Sequence, residues 1–427
     1  MKNIETLVEK INGGNNSSFK SLYGNDPAIL HKQAVRYTGI LNKYRSTFQN
    51  EEVELFSSPG RTEIGGNHTD HNHGRVLAGA VNLDNIAVAS GNNSNTISIL
   101  SIGYPQFDVD LSELKPNKEE FFSSASIVRG ICARMKELGY SIGGFNAVID
   151  GEVPKGSGLS SSASFEVLIG TILSCLFNES KLDPITIAVI GQYAENNYFG
   201  KPCGLMDQTA CAVGGFITID FKDPSMPVVK KVDFDFISTG FALVITDTGG
   251  NHADLNDEYA SLPIEMKSVA TALGATVLRE VSLAQIVEAI PALRDKTGDR
   301  AILRAYHFQG DNQRVVEQVE SLEKNNFRSF LSMVNESGYS SYMYNQNIFP
   351  VNNIKEQGIS LALALSEMVL KGRGAWRVHG GGFAGTIQAF VPQDLLPEYI
   401  SILEHVFGKG ACKKLFIRDK GSVRVEL

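Results

Sequence analysis

Four glycine-rich segments carry most of the polar residues whose types and spacing could do chemistry. They are PGRTEIGGNHTDHNHG at 59–74, PKGSGLSSSAS at 154–164, GKPCGLMDQ at 200–208 and VHGGGFAGT at 378–386. Glycine lets the backbone approach a ligand closely, and the neighbouring side chains offer hydroxyl, carboxylate, imidazole and guanidinium groups. Glycine makes up 41 of 427 residues, above the average of about 7% in proteins. The segments therefore predict backbone that is shaped around a ligand.

The segment 154–164 has the composition of a phosphate-binding loop. Gly156 and Gly158 precede a run of serines, and an apolar helix is predicted to follow. The N-terminus of a helix offers unpaired N–H groups and the positive end of the helix dipole, and both favour phosphate binding. The common nucleotide motifs fit badly, because Ser157 replaces the Walker A lysine and Ser161 replaces the third glycine of a dinucleotide-binding motif. A flexible Gly/Ser loop that caps a core helix is the alternative interpretation of this segment alone.

The histidines of the first segment allow a metal site to be considered. His68, Asp70, His71 and His73 lie close together in the chain. Side chains alternate between the faces of a strand, so the first two would point one way and the last two the other, which separates the ligands. A polar loop whose histidines form local hydrogen bonds is the simpler interpretation.

Composition and charge exclude several classes of protein. Hydrophobic residues make up 43% of the chain, which is enough for a core and excludes global disorder. The formal net charge of -8 disfavours nucleic-acid and anionic-membrane partners. No apolar run approaches the ~20 residues that span a bilayer, and the charged N-terminus does not resemble a signal peptide. The five cysteines show no C-x-x-C spacing and are typical of free thiols in a reducing cytosol. We therefore expect a cytoplasmic protein.

Short strand patterns and helical patterns follow each other irregularly along the chain. Strands are predicted at VELFSS, NIAVAS, TISILS, FNAVID, FITID, FALVITD, WRVHGG, TIQAFV and VRVEL. Helices are predicted at ASFEVLIGTILSCLF, from Pro184 to Phe199, and over 254–271, 311–335 and 355–371. Because βαβ units do not alternate strictly, the pattern predicts an α+β fold with mixed sheets. Residues 1–50 contain two weak helical stretches and are expected to form a helical extension.

The combination of motifs resembles a known family. P-G-R-x-x-I-G-x-x-H-T-D-x-N-x-G, P-x-G-x-G-L-S-S-S-A-S, C-G-x-M-D-Q and G-G-G-F-x-G, in this order and spacing, are similar to those of galactokinases in the GHMP kinase superfamily. The resemblance runs from about Ser57 to the C-terminus. It implies a two-lobed α+β fold with the active site between an N-terminal domain at 51–215 and a C-terminal domain at 216–427. Residues 1–50 precede both as the helical extension.

The resemblance also implies an activity and the residues that carry it. A galactokinase-like enzyme transfers the γ-phosphoryl group of ATP to the anomeric hydroxyl of a galacto-configured sugar. Asp207 would accept the proton of that hydroxyl, and Arg61 would keep the carboxylate ionised and offset charge on the phosphoryl group. The residues that would contact the sugar are Arg61, Asn67, His68, Asp70, Gly204, Asp207 and Tyr259.

The nucleotide and metal ligands follow from the same resemblance. The ATP phosphates would be held by backbone N–H groups of Gly156, Ser157, Gly158, Leu159, Ser160, Ser161 and Ser162. Ser162 and Glu195 would bind Mg²⁺, and Gly380–Gly382 would close on the site. The implied partners are a small sugar and ATP, and the protein is expected to be a monomer or a weak homo-oligomer.

Some residues of this chain differ from the family pattern, and the differences bear on which sugar is the substrate. Asn67 replaces a glutamate that contacts the 6-hydroxyl end of the sugar in most galactokinases, and His71 replaces a tyrosine. An amide donates as well as accepts, and a histidine can become cationic, so galacturonate or another sugar is an alternative substrate. The stretch around Tyr259 lacks an arginine that commonly follows it. A non-catalytic sugar sensor is the other alternative, although the intact Ser162-Ala163 step favours an enzyme.

Overall fold

The computed structural model describes residues 1–14, 17–154, 158–201, 203–250 and 255–427. The helices within these ranges are α1 (Ile4–Asn12), α2 (Ser17–Tyr23), α3 (Pro27–Phe48), α4 (Ser124–Glu137), α5 (Ser161–Phe177), α6 (Pro184–Ala194), α7 (Met206–Val213), α8 (Asn256–Ala272), α9 (Leu283–Thr297), α10 (Asp299–Glu323), α11 (Phe327–Ser340), α12 (Gly358–Leu370) and α13 (Leu396–Phe407). The strands are β1 (Lys2–Asn3), β2 (Glu52–Gly65), β3 (Arg75–Gly91), β4 (Thr96–Ser101), β5 (Phe107–Asp110), β6 (Phe145–Gly151), β7 (Phe216–Asp220), β8 (Val228–Val232), β9 (Phe241–Asp247), β10 (Ala375–Val378), β11 (Thr386–Pro392), β12 (Cys412–Leu415) and β13 (Val423–Arg424). This mixture confirms the predicted α+β fold.

A large mixed sheet contains most of the strands from the first half of the chain. Its strands lie in the order β1-β2-β3-β6-β4-β5, while β13 pairs with β2, and β7 pairs with both β3 and β8. The β4–β6 pair is parallel, and β2–β3 and β3–β6 are antiparallel. Strands β7 and β8 follow residue 215 in the chain and belong to this sheet. The domain boundary predicted between residues 215 and 216 stays a prediction.

The two faces of the large sheet bury different helices. Ala87 and Ala89 of β3 point into a core with α4, α5, α6 and α7. Ile86 and Val88 alternate with them and point into a core with α1, α2 and α3. The sequence predicted two helical stretches within residues 1–50, and the structure has three there. The additional break lies before α3, where the side chain of Asp26 caps the helix and Pro27 occupies its first turn.

A smaller antiparallel sheet supports the second half of the molecule. Its strands lie in the order β10-β11-β9-β12. One face packs on α10 and α11 through Val315, Phe330 and Phe390. The other face packs on α12 and α13 through Val244 and Tyr399. The loop between β10 and β11, which contains the HGGGFAG sequence, contacts β2, since His379 Nε2 lies 3.1 Å from Thr62 Oγ1.

Several local predictions differ from the structure. The single helix predicted at 311–335 is wrong, because α10 ends at Glu323 and Asn326 caps α11 by accepting from Ser329 N. The predicted helix from Pro184 continues beyond α6 only as a π-helical turn, Glu195–Phe199. Helices α4, α9 and α13 were not predicted. Within the described ranges, none of the helices is long and apolar enough to cross a membrane.

Candidate active site

Arg61 and Asp207 form a two-pronged ion pair between β2 and α7. Arg61 Nε donates to Asp207 Oδ1 at 2.7 Å, and Arg61 Nη2 donates to Asp207 Oδ2 at 2.6 Å. Arg61 is 9% exposed, and Asp207 lies in the first turn of α7, where the helix dipole favours a carboxylate. The planar fork of arginine matches the two carboxylate oxygens, so the pair has a fixed orientation.

The predicted phosphate loop lies against this pair. Gly156 and Ser157 lie outside the described residues. The Gly158 carbonyl accepts from Arg61 Nη1, and the carbonyl of the buried Leu159 accepts from the backbone N–H of Arg61 at 3.0 Å. A Cβ at Gly60 would come within 2.7 Å of the Leu159 oxygen, so the loop needs a glycine there.

The end of the loop brings a helix N-terminus to the same place. Ser160 has a φ of 56° in the left-handed region and donates from Oγ to Asp207 Oδ2. Helix α5 begins at Ser161, so Ser161 and Ser162 provide N–H groups of its first turn. The structure thus brings the described part of the predicted phosphate loop next to the predicted catalytic pair.

Two opposing effects determine the ionisation of Asp207. Burial raises the pKa of this carboxyl, whereas the Arg61 guanidinium and the Ser160 hydroxyl lower it, and the net pKa lies below the ordinary value. Arg61 shows the reverse balance: burial lowers its pKa, but the Asp207 carboxylate outweighs burial and raises it. Asp207 is therefore ionised at neutral pH.

The other predicted sugar contacts fall into two adjacent groups. A Cβ at Gly204 would lie 3.1 Å from Asp70 Oδ2, so these residues are neighbours. Burial raises the pKa of Asp70, and the Asp207 carboxylate adds to this effect. His68 and Tyr259 form the second group, since His68 Nε2 lies 2.8 Å from the Gly381 oxygen and Tyr259 Oη donates to the Gly382 oxygen at 2.9 Å. Asn67 is fully buried beside this second group, with its amide bonded to protein atoms.

The predicted metal ligands lie in the first turn of α5 and in the π-helical turn that follows α6. Ser162 is partly exposed in the first turn of α5. Glu195 is 3% exposed; its Oε2 accepts from Gln208 Nε2 at 2.9 Å, and its Oε1 lies 4.0 Å from Lys201 Nζ. The same Gln208 nitrogen donates to Glu166 Oε2 at 2.8 Å. Burial and the neighbouring Glu195 raise the pKa of Glu166.

The histidines of the first segment do not gather around a common point. His71 Nδ1 accepts from the side chain of Asn72 at 2.9 Å, and burial lowers the pKa of His71 to about 3. Among the residues that the structure describes, no group of three histidine, cysteine, aspartate or glutamate side chains could hold a metal ion. The contact of His71 is local, as the polar-loop interpretation expects, whereas His68 bonds to the distant Gly381.

Sequence comparison assigns two parts of the chain to known family models. The model of the GHMP kinases N terminal domain matches residues 126–215. The galactokinase galactose-binding signature matches residues 42–91. The first range contains the phosphate loop and Asp207, and the second contains Arg61.

Comparison with solved structures gives matches along most of the chain. Lactococcus lactis galactokinase complexed with galactose is 26% identical, with 90% of this chain and 98% of that chain covered and a TM-score of 0.74. Methanococcus jannaschii mevalonate kinase is 14% identical, with 86% and 98% covered and a TM-score of 0.61. A D-glycero-D-manno-heptose 1-phosphate kinase from Bacteroides thetaiotaomicron is 16% identical, with 87% and 99% covered and a TM-score of 0.58. The last two likenesses concern the fold.

Fold, site and family models together define a kinase of the GHMP superfamily, whose members use ATP as a substrate. Within this superfamily the chain carries the galactokinase galactose-binding signature and is similar to a solved galactokinase, so it is a galactokinase-like sugar kinase. The predicted resemblance, the two-lobed fold and the assignment as a phosphotransferase are thereby confirmed.

Several residues of the site were not found from the sequence. They are Glu63, Glu166, Gln208, Asn347 and Arg377. Glu166 follows Ser162 by four positions on a predicted helix, a spacing that places both on one face and could have revealed it. Arg377 and Asn347 had no such signal, because Arg377 bonds to Glu63 of β2 and Asn347 bonds to Asn67, and these contacts join segments that lie far apart in the chain.

Proposed function

We propose that the protein phosphorylates the anomeric hydroxyl of galactose or a close neutral galacto-configured sugar with ATP. The observation that carries this proposal is the ion pair of Arg61 with Asp207 at the beginning of α5, where a phosphate-binding helix N-terminus meets a fixed carboxylate. Asp70 and Gly204 adjoin the same carboxylate and support a sugar site there. The cytoplasmic location and a monomeric or weakly oligomeric state remain predictions.

The contacts of Asp207 support its role as proton acceptor. A carboxylate has about four lone-pair positions. Arg61 takes two of them and Ser160 takes a third, which leaves one for the sugar's 1-hydroxyl. The hydroxyl oxygen forms a bond to the γ-phosphorus, the bond from that phosphorus to the oxygen of ADP breaks, and the hydroxyl proton passes to Asp207. The positive charge of Arg61 beside the reacting groups offsets the charge of the transferring phosphoryl group.

The residues near α5 fit a magnesium ion. Ser162 and Glu195 offer hydroxyl and carboxylate oxygens, the donors that Mg²⁺ prefers, and Mg²⁺ commonly keeps several waters with only one or two protein carboxylates. Glu166 adds a buried carboxyl with one oxygen, Oε1, that has no hydrogen-bond partner. We propose that Ser162 and Glu195 would hold Mg²⁺, which when bound would neutralise charge on the ATP phosphates.

The electrostatics favour a neutral sugar over galacturonate. A sugar carboxylate needs an unpaired cation in its site, because burying a lone charge is costly. Arg61 and Arg377 are already paired with Asp207 and Glu63. Burial lowers the pKa of His71 to about 3, so it is not cationic at neutral pH. Lys267, which also lowers that pKa, is exposed to solvent.

A sugar panel tests the proposal. Purified protein with ATP and Mg²⁺ is incubated with galactose, galacturonate, arabinose or N-acetylgalactosamine, and ADP release is measured. We expect release with galactose or a close neutral sugar, a 1-phosphate product by NMR, and little release with galacturonate. Asp207→Asn should lose turnover while still binding the sugar, and Asp108→Asn, an exposed carboxylate on β5, should behave as wild type. ADP release with none of the four sugars would contradict the proposal, and sugar binding without turnover by the wild type would favour a sugar sensor. Unchanged turnover in Asp207→Asn would mean that Asp207 is not the proton acceptor.

A further inference from the structure

The carboxylate of Glu63 and the amide of Asn67 form a buried pair at the end of β2. Asn67 Nδ2 donates to Glu63 Oε1 at 3.0 Å, and the same oxygen accepts from Arg377 Nη2 at 2.9 Å. Glu63 is 8% exposed and Asn67 is fully buried. Glu63 follows Arg61 by two positions on β2, so both side chains project from the same face of the strand. A carboxylate that is paired with Arg377 therefore lies on the same face of β2 as Arg61, although residue 67 is an amide.

The loop Gly380–Gly382 is held at each of its carbonyl oxygens by a side chain. Asn67 Nδ2 donates to the first carbonyl at 2.9 Å. His68 Nε2 lies 2.8 Å from the second, and Tyr259 Oη donates to the third at 2.9 Å. A Cβ at Gly382 would come within 2.0 Å of the backbone oxygen of Asn347, so the loop packs closely against this residue. The proposed sugar contacts His68 and Tyr259 are thus connected to Asn67 through this loop.

The remaining bonds of Asn67 also go to protein groups. Its Oδ1 accepts from Asn347 Nδ2 at 2.9 Å and from Ser341 Oγ at 3.2 Å. Its backbone N–H donates to Asp311 Oδ2 at 2.8 Å, and its carbonyl lies 2.8 Å from His307 Nε2. An amide has two N–H donors and an oxygen with two lone pairs. All of these are used, which means that protein partners account for the identity of residue 67.

A glutamate at position 67 would conflict with these partners. It would place a second carboxylate against Glu63 and would face the Gly380 oxygen without a proton to donate. Two buried carboxylates in contact repel each other, and an acceptor opposite an acceptor loses its hydrogen bond. An asparagine at 67 therefore follows from the glutamate at 63.

We propose that Glu63 supplies the carboxylate that the galactokinase resemblance leads one to expect at residue 67, and that Glu63 and Asn67 are a positioning pair for the Gly380–Gly382 loop. The pair holds the loop whose carbonyls orient His68 and Tyr259 toward the sugar. This inference rests on the proposed sugar kinase activity. Because Glu63 pairs with Arg377, that guanidinium is not left unpaired for the carboxylate of a uronate.

A charge-exchange cycle tests the pair. The variants are Glu63→Asn, Asn67→Glu and the double variant, with Asn95→Glu, an exposed turn position, as the control for an added carboxylate. Each single variant should lower kcat/KM for galactose by about two- to a hundredfold, the range of coupling between contacting residues. The loss should appear as a raised KM for galactose with the KM for ATP unchanged. The double variant should recover most of the loss, because it restores one amide and one carboxylate in contact.

The outcomes separate this inference from the proposed function. A double variant no better than the poorer single variant, or an Asn67→Glu protein that phosphorylates galactose better than wild type, would overturn the pair. Equal losses of apparent kcat with both KM values unchanged would indicate partial unfolding and would also overturn it. The same cycle is measured in urea unfolding, which needs no activity. If wild type phosphorylates none of the sugars but the double variant regains the stability that each single variant loses, the proposed function fails and the pair remains.

Discussion

At the residue scale, the site depends on a single guanidinium that does several things at once. Arg61 orients Asp207 with two hydrogen bonds, lowers the pKa of its carboxyl and binds the Gly158 carbonyl of the phosphate loop. Lysine would keep the positive charge but would not reproduce the fork of donors. The position therefore requires arginine for its geometry as well as for its charge.

We expect Arg61→Lys to lower kcat by about 10²–10³, the usual effect of removing one donor that stabilises developing charge. The pH profile should change in a defined direction. Because Arg61 holds the pKa of Asp207 below its ordinary value, weakening the pair raises that pKa, and activity on the acid side should be lost at a higher pH than in wild type. The measurement is kcat/KM against pH, with the exposed Arg294→Lys as the control. An acid limb that does not move would mean that Asp207 is not the group that titrates.

The sequence predicted the residues of this site better than their partners. Arg61, Asp207 and Ser160 lie in short motifs, and the order of these motifs along the chain was sufficient to predict that the three residues share one site. The position of Asn67 was predicted and its surroundings were not. Its bonds to Asn347 and Ser341 and to the Gly380 carbonyl join residues that are more than 270 positions apart. Contacts of that kind are determined by tertiary packing, which periodicity and local motifs do not contain.

At the element scale, close helix packing leaves no room for a side chain at some glycines, whereas other glycines have open space around them. Gly130 lies in the middle of α4, and a Cβ there would come within 2.8 Å of Tyr198 Cγ and 2.9 Å of Ala194 Cβ. Gly39 lies in the middle of α3, and a Cβ there would meet nothing within 4 Å. Both glycines have ordinary helical φ values, so alanine suits the backbone in each case, and only the neighbouring atoms differ. The prediction of a single helix over 311–335 failed for a local reason of the same size, because one asparagine cap, Asn326, begins α11 as a separate helix.

We expect opposite signs for the two alanine substitutions. Gly39→Ala should stabilise the protein by up to about 1 kcal/mol, since alanine is the better helix former. Gly130→Ala should destabilise it by about 1–3 kcal/mol, since overpacking forces α4 and α6 apart. The free energy of unfolding in urea measures both, and each variant is the control of the other. Stabilisation by both would show that α4 and α6 can separate at little cost.

At the scale of the whole molecule, a buried charge cluster joins the N-terminal helices, the large sheet and the C-terminal segment. Asp84, in the middle of β3, is fully buried. It accepts from Arg36 of α3 at 2.6 Å, from Tyr23 of α2 at 2.6 Å and from Arg418 near the C-terminus at 3.2 Å. Ser57 of β2 donates to the same carboxylate. The Asp84 carboxylate thus bonds the N-terminal helices and the C-terminal segment to the large sheet.

Asp84→Asn should destabilise the whole fold by about 3–5 kcal/mol at pH 7, the usual cost of leaving a buried charge without its partner. Burial raises the pKa of Asp84, but Arg36 and Arg418 outweigh burial and hold the pKa below its ordinary value. The contribution of a carboxyl with a lowered pKa is present above the unfolded value of about 3.9 and is lost as the pH falls through the folded value. The difference in unfolding free energy between wild type and Asp84→Asn should therefore shrink below about pH 3.9. Asp84→Glu keeps the charge and should lose less stability, and the exposed Asp108→Asn should match wild type. A difference that stays constant with pH would mean that the aspartate contributes by its shape and hydrogen bonds, and that its charge is not what fastens the two ends of the chain.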